Sequence, residues 1–117
     1  MKYLCAIYYD EKQLDAVPKA AADAIEAECR VYDAALKEKG RLLACERLQP
    51  VATATTVRHQ GGTVTVTDGP FAETKEQLGG FYLIEARDLD EAIRIASRIP
   101  PGRLGCVEVR PVLEPGR

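Results

Sequence analysis

The spacing of apolar residues along this chain predicts an α+β protein. Residues 2–9 and 80–86 carry apolar or aromatic side chains at both odd and even positions, which is typical of strands covered on both faces. Residues 41–48 and 106–112 have weaker strand patterns. Residues 19–39 are rich in Ala, Glu and Lys, which favours a helix. The apolar stripe of this helix recurs at helical spacing and consists of Ile25, Cys29, Tyr32 and Leu36.

A second helix is predicted from Asp88 onward. Asp88 is followed three positions later by Glu91, a spacing that resembles a capping box. The sequence Pro100-Pro101-Gly102 should end this helix, as Gly40 should end the first one. The predicted buried face of the second helix consists of Leu89, Ala92, Ile93, Ala96 and Ile99.

The middle of the chain predicts a hairpin followed by a long polar loop. Residues 52–58 and 63–67 are rich in Thr and Val and are separated by Gln60-Gly61-Gly62, a pattern typical of a β-hairpin. Residues 10–18 are predicted to be a polar connection. We therefore expect one domain over residues 1–113, with an inserted hairpin at 52–67, a loop at 68–79 and a tail at 114–117.

Without the hairpin, the elements follow the order β-α-β-β-α-β, which is the ferredoxin-like pattern. In that topology the first and third strands are central, and these are the two strands with apolar residues on both faces. Two helices cover one face of a four-stranded sheet, so one apolar set of the first strand would remain in water. That set is either Tyr3, Cys5 and Ile7, or Leu4, Ala6 and Tyr8. Because such a patch is unusual in a monomer, we expect a two-fold homodimer whose sheets enclose a shared interior.

Composition narrows the classes of function. The 117 residues fit one domain, and the net charge of −2 argues against a nucleic-acid binder. No apolar run approaches the roughly 20 residues of a membrane span, and the first residues do not resemble a signal peptide. The four cysteines are scattered and there is one histidine, His59, so a zinc site is not expected. We expect a cytoplasmic protein with reduced, buried thiols.

The segment from Asp68 to Gly80, DGPFAETKEQLGG, is the most informative part of the chain. It is longer than a turn between strands requires, and its Gly-Pro pair is stiff. It presents opposite charges at Asp68, Glu73, Lys75 and Glu76. A rigid loop of this kind is where scaffolds often hold a polar site.

The sequence DGPFAETKEQLGGFYLI, followed by a DLDEA helix and a VEVRPV strand, resembles the YCII-related, or DGPF-domain, family. The resemblance implies a dimeric α/β barrel and, for related proteins, a small enzyme with a His–Asp pair in the cleft between sheet and helix. It also implies a link to extracytoplasmic-function sigma factors. The corresponding part of the first helix has Cys29 and no histidine, and His59 falls at the hairpin tip, so that pair is not carried over.

The catalytic candidates are four charged residues. Asp68 or Glu46 would act as a base, Lys75 would stabilise a developing oxyanion, and Glu73 would orient Lys75. Each has a structural alternative. Asp68 is suited to an Asx-turn, Glu73 and Lys75 to a surface ion pair of small energy, and Glu46 to a solvated strand edge.

The candidate ligand contacts are Pro70 and Phe71 in the loop and Tyr8 and Tyr82 on the central strands, for which core packing is the alternative. Two functions follow. One is a small enzyme without metal or organic cofactor that catalyses proton transfer, isomerisation or elimination on a small organic molecule. The other is a non-catalytic ligand-binding or regulatory module, linked to transcription by the resemblance alone. Charged side chains converging on an enclosed pocket would favour the enzyme, and the same side chains on a convex surface would favour the module.

Overall fold

A computed structural model describes residues 1–115 and shows an α+β fold. The elements are β1 (Lys2–Tyr9), α1 (Glu11–Asp15), α2 (Lys19–Glu38), β2 (Leu42–Arg47), β3 (Thr55–Gln60), β4 (Thr63–Asp68), β5 (Gln77–Glu85), α3 (Leu89–Ser97) and β6 (Gly105–Pro111). Four strands form an antiparallel sheet in the order β2-β5-β1-β6. The strands β1 and β5 are central, as predicted, and the order is that of a ferredoxin-like fold. A separate two-stranded sheet pairs β3 with β4.

The segment predicted to be a polar connection contains the short helix α1. Asp10 caps this helix, because its side chain accepts a hydrogen bond of 3.0 Å from the N–H of Lys12. A helix of five residues is too short for apolar periodicity to reveal it. At the other end of the chain, the predicted tail lies partly outside the described residues, and Glu114 and Pro115 follow β6.

The predicted bounds of α2 are confirmed to within one residue. Gly40 has φ +70°, and the N–H of Arg41 donates to the carbonyl oxygen of Leu36 at 2.9 Å, as in a glycine-terminated helix end. The inner stripe of α2 faces the sheet, and Leu36 is the member of the stripe that is buried. α2 is too polar to cross a membrane, and no other helix of the described chain has the length and apolar character to do so.

The predicted capping of α3 is confirmed, whereas its buried face was predicted partly wrongly. The Asp88 carboxylate accepts from the N–H of Glu91 at 2.9 Å, and the Glu91 carboxylate accepts from the N–H of Arg87 at 2.8 Å. Leu89 and Ile93 are exposed, and Ile95 is buried in their place. Both apolar stripes share Ala92, Ala96 and Ile99, so the sequence fits either one. Packing against the sheet selects the stripe that contains Ile95.

The core lies between the helices and one face of the sheet. Tyr3, Cys5 and Ile7 of β1 are buried there with Tyr82 and Ile84 of β5. Because successive strand residues point to opposite faces, the alternate residues form a second face that α2 and α3 do not cover. We call this the open face, and its central residues are Leu4, Ala6, Tyr8, Leu78, Phe81 and Leu83.

The hydroxyl of Tyr32 ties the two long helices together across the core. It donates a hydrogen bond of 2.6 Å to the carbonyl oxygen of Ile95. Ile95 therefore both fills the core and presents the backbone group that α2 holds. This hydrogen bond joins α2 to α3 next to the buried side chain of Ile95.

Replacing Ile95 with alanine should lower the free energy of unfolding by about 2–4 kcal/mol, because it leaves a cavity in the core. Ile93→Ala is the matched control in the same helix, and it should cost less than about 1 kcal/mol because Ile93 is 49% exposed. Urea denaturation of both variants measures the difference. Equal losses, or a larger loss at Ile93, would contradict the observed orientation of α3.

The stability should also decline at high pH through Cys5. Burial raises the pKa of the Cys5 thiol from 9.0 to about 11, so above pH 9 the unfolded chain loses a proton that the folded chain keeps. This contribution is complete below pH 9 and is lost as the pH rises towards 11. Between about pH 8 and 10.5 it amounts to about 2 kcal/mol.

Urea titrations at both pH values should therefore show a smaller alkaline loss for Cys5→Ala than for the wild type. Cys106→Ala is the control, because Cys106 is exposed. An alkaline loss in Cys5→Ala as large as that of the wild type would show that Cys5 does not titrate in this way.

Candidate functional site

A cavity of about 390 Å³ lies between the helical layer and the sheet. Its outer wall comes from α1, from the turn that follows it and from the first half of α2, which contribute Leu14, Val17 and Ile25. Its inner wall is the helix-facing side of β1, β2 and β5. The walls are mainly apolar, and the few polar groups converge from α2, β2 and β5, an arrangement typical of small-molecule sites.

Two glycines in β5 make room for the floor of the cavity. A Cβ atom on Gly79 would lie 2.1 Å from the ring of Tyr9, and one on Gly80 would lie 2.8 Å from the carbonyl oxygen of Glu46. The strand pairing shifts here, because Ile7 pairs with Gly80 whereas Tyr8 pairs with Leu78. The missing side chain at Gly79 therefore leaves the space that the Tyr9 ring occupies beside the cavity.

The polar centre of the cavity is a carboxylate with two neutral donors. Asp33 lies on α2, one turn after Cys29, and is half-buried. The hydroxyl of Tyr82 donates a hydrogen bond to Asp33 Oδ1, and the Sγ of Cys45 lies 3.8 Å from Asp33 Oδ2. Cys45 and Tyr82 are cross-strand neighbours on β2 and β5. The sheet thus presents both donors to one residue of the helix.

The electrostatics of this centre keep its donors protonated. Burial raises the pKa of Tyr82 far above its usual range, and the hydrogen bond to Asp33 and the negative charge of Asp33 raise it further. Burial also raises the pKa values of Cys29 and Cys45, followed by the charge of Asp33. A thiol reacts as a nucleophile through its thiolate. Both thiols are therefore poor nucleophiles at neutral pH.

The mouth of the cavity carries opposite charges. Arg47 Nη1 lies 3.9 Å from Glu26 Oε2, and both side chains are largely exposed. Burial raises the pKa of the Tyr9 hydroxyl, whereas Arg47 lowers it. An exposed pair of this length contributes little stability, so its side chains are free to reorient around an entering molecule.

The four predicted catalytic residues are not brought together with Asp33. Asp68, Glu73 and Lys75 are exposed, and none of them lines the cavity. Glu46 borders the cavity, but Cys45 points towards Asp33, so strand alternation directs the Glu46 side chain to the open face opposite Phe81.

Of the four predicted ligand contacts, Tyr82 lines the cavity. Tyr8 lies on the open face, because it alternates with Tyr9. Pro70 and Phe71 lie on the exposed loop, and 72% of Phe71 is accessible to water. His59 is exposed on β3, close to the hairpin tip.

Asp33 was missed by sequence reasoning, although a signal for it exists. Asp33 follows Cys29 by four residues, so it lies on the same side of α2 as the apolar stripe. An acid on the inner side of an otherwise apolar stripe indicates a polar group directed towards the sheet.

Within the described range, no group of three or more His, Cys, Asp and Glu side chains is arranged to hold a metal ion.

Comparison with known proteins places the chain in a family. The family model for the YCII-related domain matches residues 1–115. A protein of Rhizobium meliloti (strain 1021), described as uncharacterized, is 40% identical over 114 residues, which cover 96% of this chain and 92% of that protein. The chain therefore belongs to the family of proteins that contain a YCII-related domain.

Proposed function

We propose that this protein is a small enzyme that moves a proton on an organic molecule bound in the cavity beneath α2, with Asp33 as the general base. The observation that carries the proposal is the hydrogen-bonded pair of Asp33 and Tyr82 inside a mainly apolar cavity. A carboxylate in such surroundings is poorly hydrated, and this strengthens its interaction with a bound proton donor.

The two oxygens of Asp33 have different surroundings. Oδ1 accepts from the Tyr82 hydroxyl, which stays protonated and fixes the direction of the carboxylate. Oδ2 has the weaker contact, with the Cys45 thiol at 3.8 Å. Oδ2 is therefore the oxygen that would take a proton from the substrate. Return of that proton to another substrate atom gives an isomerisation, and loss of a substrate leaving group gives an elimination.

The cavity suits a compact molecule. Its volume of about 390 Å³ falls near the lower end of the range for small-molecule sites. Leu14, Val17 and Ile25 would contact an apolar ring or short chain, while the polar end of the molecule would face Asp33. Arg47 and Glu26 at the mouth would meet any charged substituent that remains in water.

The charged loop fits the non-catalytic binding or regulatory module better than it fits the small enzyme. Asp68, Glu73 and Lys75 are exposed within one chain, which is the arrangement expected of a surface that contacts another molecule. A catalytic role for them would require a second chain to place them at a cavity. The proton-transfer proposal therefore rests on Asp33 and Tyr82.

We also propose that the protein is a homodimer joined through the open face. The apolar residues of this face lie on the central strands, whereas the edge strands carry Glu46, Glu108 and Arg110. An apolar centre with a polar rim is the usual anatomy of an interface. Two copies packed in this way would form the dimeric α/β barrel that the resemblance implies.

A thermal-shift screen of small organic molecules tests the cavity. A molecule that binds should raise the melting temperature in proportion to the logarithm of its concentration, and Asp33→Asn and Tyr82→Phe should reduce that shift. Where a hit is also turned over, Asp33→Asn should lower kcat by at least about 100-fold, because it removes the base. Asp23→Asn is the matched control on an exposed part of the same helix.

Wild-type binding and turnover in Asp33→Asn would refute the role of Asp33. If Asp68→Ala and Lys75→Ala instead abolished turnover, the chemistry would belong to the loop. Circular dichroism of each variant separates loss of the site from loss of the fold.

Sedimentation analysis tests the dimer. The wild type should have twice the chain mass of 12.8 kDa at micromolar concentration, and Leu83→Lys on the open face should shift it towards the monomer, because a charge would be buried without a partner. Leu89→Lys, on the exposed side of α3, should leave the mass unchanged. A monomeric wild type would contradict the proposal.

A further inference from the structure

Two hydrogen-bond donors border the mouth of the cavity from the strands on either side of β5. Tyr9 is the last residue of β1 and Arg47 is the last residue of β2, and both line the cavity. Arg47 follows Cys45 by two residues, so strand alternation directs it to the same face of the sheet, towards the helices. Its cross-strand neighbour is Gly80, which has no side chain to separate Arg47 from Tyr9. We call the Arg47 guanidinium and the Tyr9 hydroxyl the mouth site.

The Tyr9 ring places its hydroxyl group over β5, on the side of Arg47. A Cβ atom on Gly79 would overlap the hydroxyl oxygen of Tyr9, so this oxygen lies over Gly79. The Gly79 carbonyl oxygen accepts a hydrogen bond of 2.9 Å from the N–H of Leu48, the residue after Arg47. Because paired strands are about 5 Å apart, the hydroxyl group lies within reach of the long Arg47 side chain.

The acids that border the cavity have partners of their own or point away from it. The Asp33 carboxylate is held by the two donors described above. Glu26 has Arg30 as a partner, since Arg30 Nη1 lies 3.5 Å from Glu26 Oε1. The Glu46 side chain is directed to the open face. These acids therefore do not need a ligand to supply a partner.

The mouth site, in contrast, has donors that no group of the protein uses. Arg47 Nη1 lies 3.9 Å from Glu26 Oε2, which is too long for a hydrogen bond. Within residues 1–115, neither the Arg47 guanidinium nor the Tyr9 hydroxyl donates a hydrogen bond to the protein. A guanidinium has five N–H donors and a tyrosine has one O–H donor. A molecule that enters the cavity therefore meets unused donors, which an acceptor group satisfies.

The charge of Arg47 reaches into the cavity. Burial raises the pKa of the Tyr9 hydroxyl, Arg47 lowers it and Glu11 raises it, and the net rise keeps this hydroxyl protonated at neutral pH. Burial and then the charge of Asp33 raise the pKa of Cys29, and Arg47 again lowers it. Because Arg47 acts on two residues that line the cavity, an anion there would be attracted to the mouth site.

We propose that the mouth site binds the carboxylate group of the substrate, and that the substrate is a compact organic acid with an apolar body. This inference rests on the proton transfer proposed above and names the class of molecule on which it would act. The planar guanidinium of Arg47 would donate two N–H groups to the two carboxylate oxygens, a pairing for which its geometry is suited. The Tyr9 hydroxyl would donate a third hydrogen bond.

The charges of the cavity would also orient such an acid. The Asp33 carboxylate repels a second carboxylate, so the carboxylate of the substrate would stay at the mouth and its body would point inwards. Cys45, which contacts Asp33 Oδ2, and Arg47 are two residues apart on β2, or about 7 Å along the strand. A single ring or a short chain spans this distance. The far end of the substrate would then face Oδ2, the oxygen proposed to take the proton.

An amine would not suit this cavity in the same way. It would pair with the Asp33 carboxylate directly and would occupy the proposed base. When Arg47 turns to a carboxylate, by contrast, Glu26 keeps its partner Arg30. Binding of an acid therefore leaves each charge of the mouth with an opposite charge beside it.

Binding of matched probes to the full-length protein tests the mouth site. The probes are phenylacetate, cyclohexanecarboxylate and pentanoate, each compared with its own amide by titration in nuclear magnetic resonance spectra. At least one acid should bind at least about tenfold more tightly than its amide, because hydrogen bonds between charged groups are stronger than neutral ones. Arg47→Gln should reduce this ratio to less than about twofold, since it removes the charge and the fork of donors.

Two further variants show whether the effect belongs to the mouth site. Arg94→Gln is the matched control, because Arg94 is exposed on α3 and does not line the cavity. It should leave the ratio within about twofold of the wild-type value. Tyr9→Phe keeps the ring over Gly79 and removes the hydroxyl, and it should weaken binding of the acid about threefold to tenfold.

The inference is overturned by any of four results. These are equal binding of acids and amides, an unchanged ratio in Arg47→Gln, tighter binding of 2-phenylethylamine than of phenylacetate, and no binding of any acid up to about 10 mM. The ratio is measured from binding alone, so it fails or stands separately from the proton transfer. If it depends on Arg47 while Asp33→Asn retains wild-type turnover, the recognition of acids stands and the role of Asp33 fails. If acids and amides bind equally while Asp33→Asn abolishes turnover, the base stands and the mouth site fails.

Discussion

The alternation of side chains along the two central strands is the constraint on which the rest of this structure depends. Every second residue of β1 and β5 must face the helices, and the residues between them must face away. Cys5 and Ile84 are fully buried on the helix side, while Leu4 and Phe81 are directed to the open face. The same alternation separates Tyr9, at the cavity, from Tyr8, on the opposite side.

The cavity exists because the two layers do not fill the space between them near one end of the sheet. Gly79 and Gly80 remove side chains from β5 at this place, and Tyr9 occupies part of the space. α1 and the turn after it close the outer side. The half-buried carboxylate of Asp33 needs hydrogen-bond donors at this position. Tyr82 and Cys45 supply them.

The DGPF segment is held against the β3–β4 hairpin by hydrogen bonds to its backbone. Its glycine and proline shape a turn that returns to the hairpin through main-chain and side-chain hydrogen bonds. Its charged residues lie in water, and its phenylalanine is directed outward. A motif of this kind is as consistent with constraints on shape and assembly as with catalysis. The polar groups in the cavity come instead from separated parts of the chain.

The sequence by itself determined the order of the strands and of the two longer helices, the central position of β1 and β5, the hairpin, the C-terminal end of α2 and the N-terminal cap of α3. These features depend on the spacing of apolar, capping and turn residues that are close together in the sequence. It also fixed the family, because the long motif is specific.

Tertiary structure alone decided which apolar stripe of α3 is buried, and that Asp33 meets Tyr82 across 49 positions of sequence. Leu89 and Ile93 fit a helical stripe as well as Ile95 does, and only contact with the sheet distinguishes them. Likewise, Glu46 and Cys45 are adjacent in sequence, but the strand register directs the Glu46 side chain to the open face and the Cys45 side chain to the cavity. Such choices depend on the packing of distant segments against each other, which no local pattern specifies.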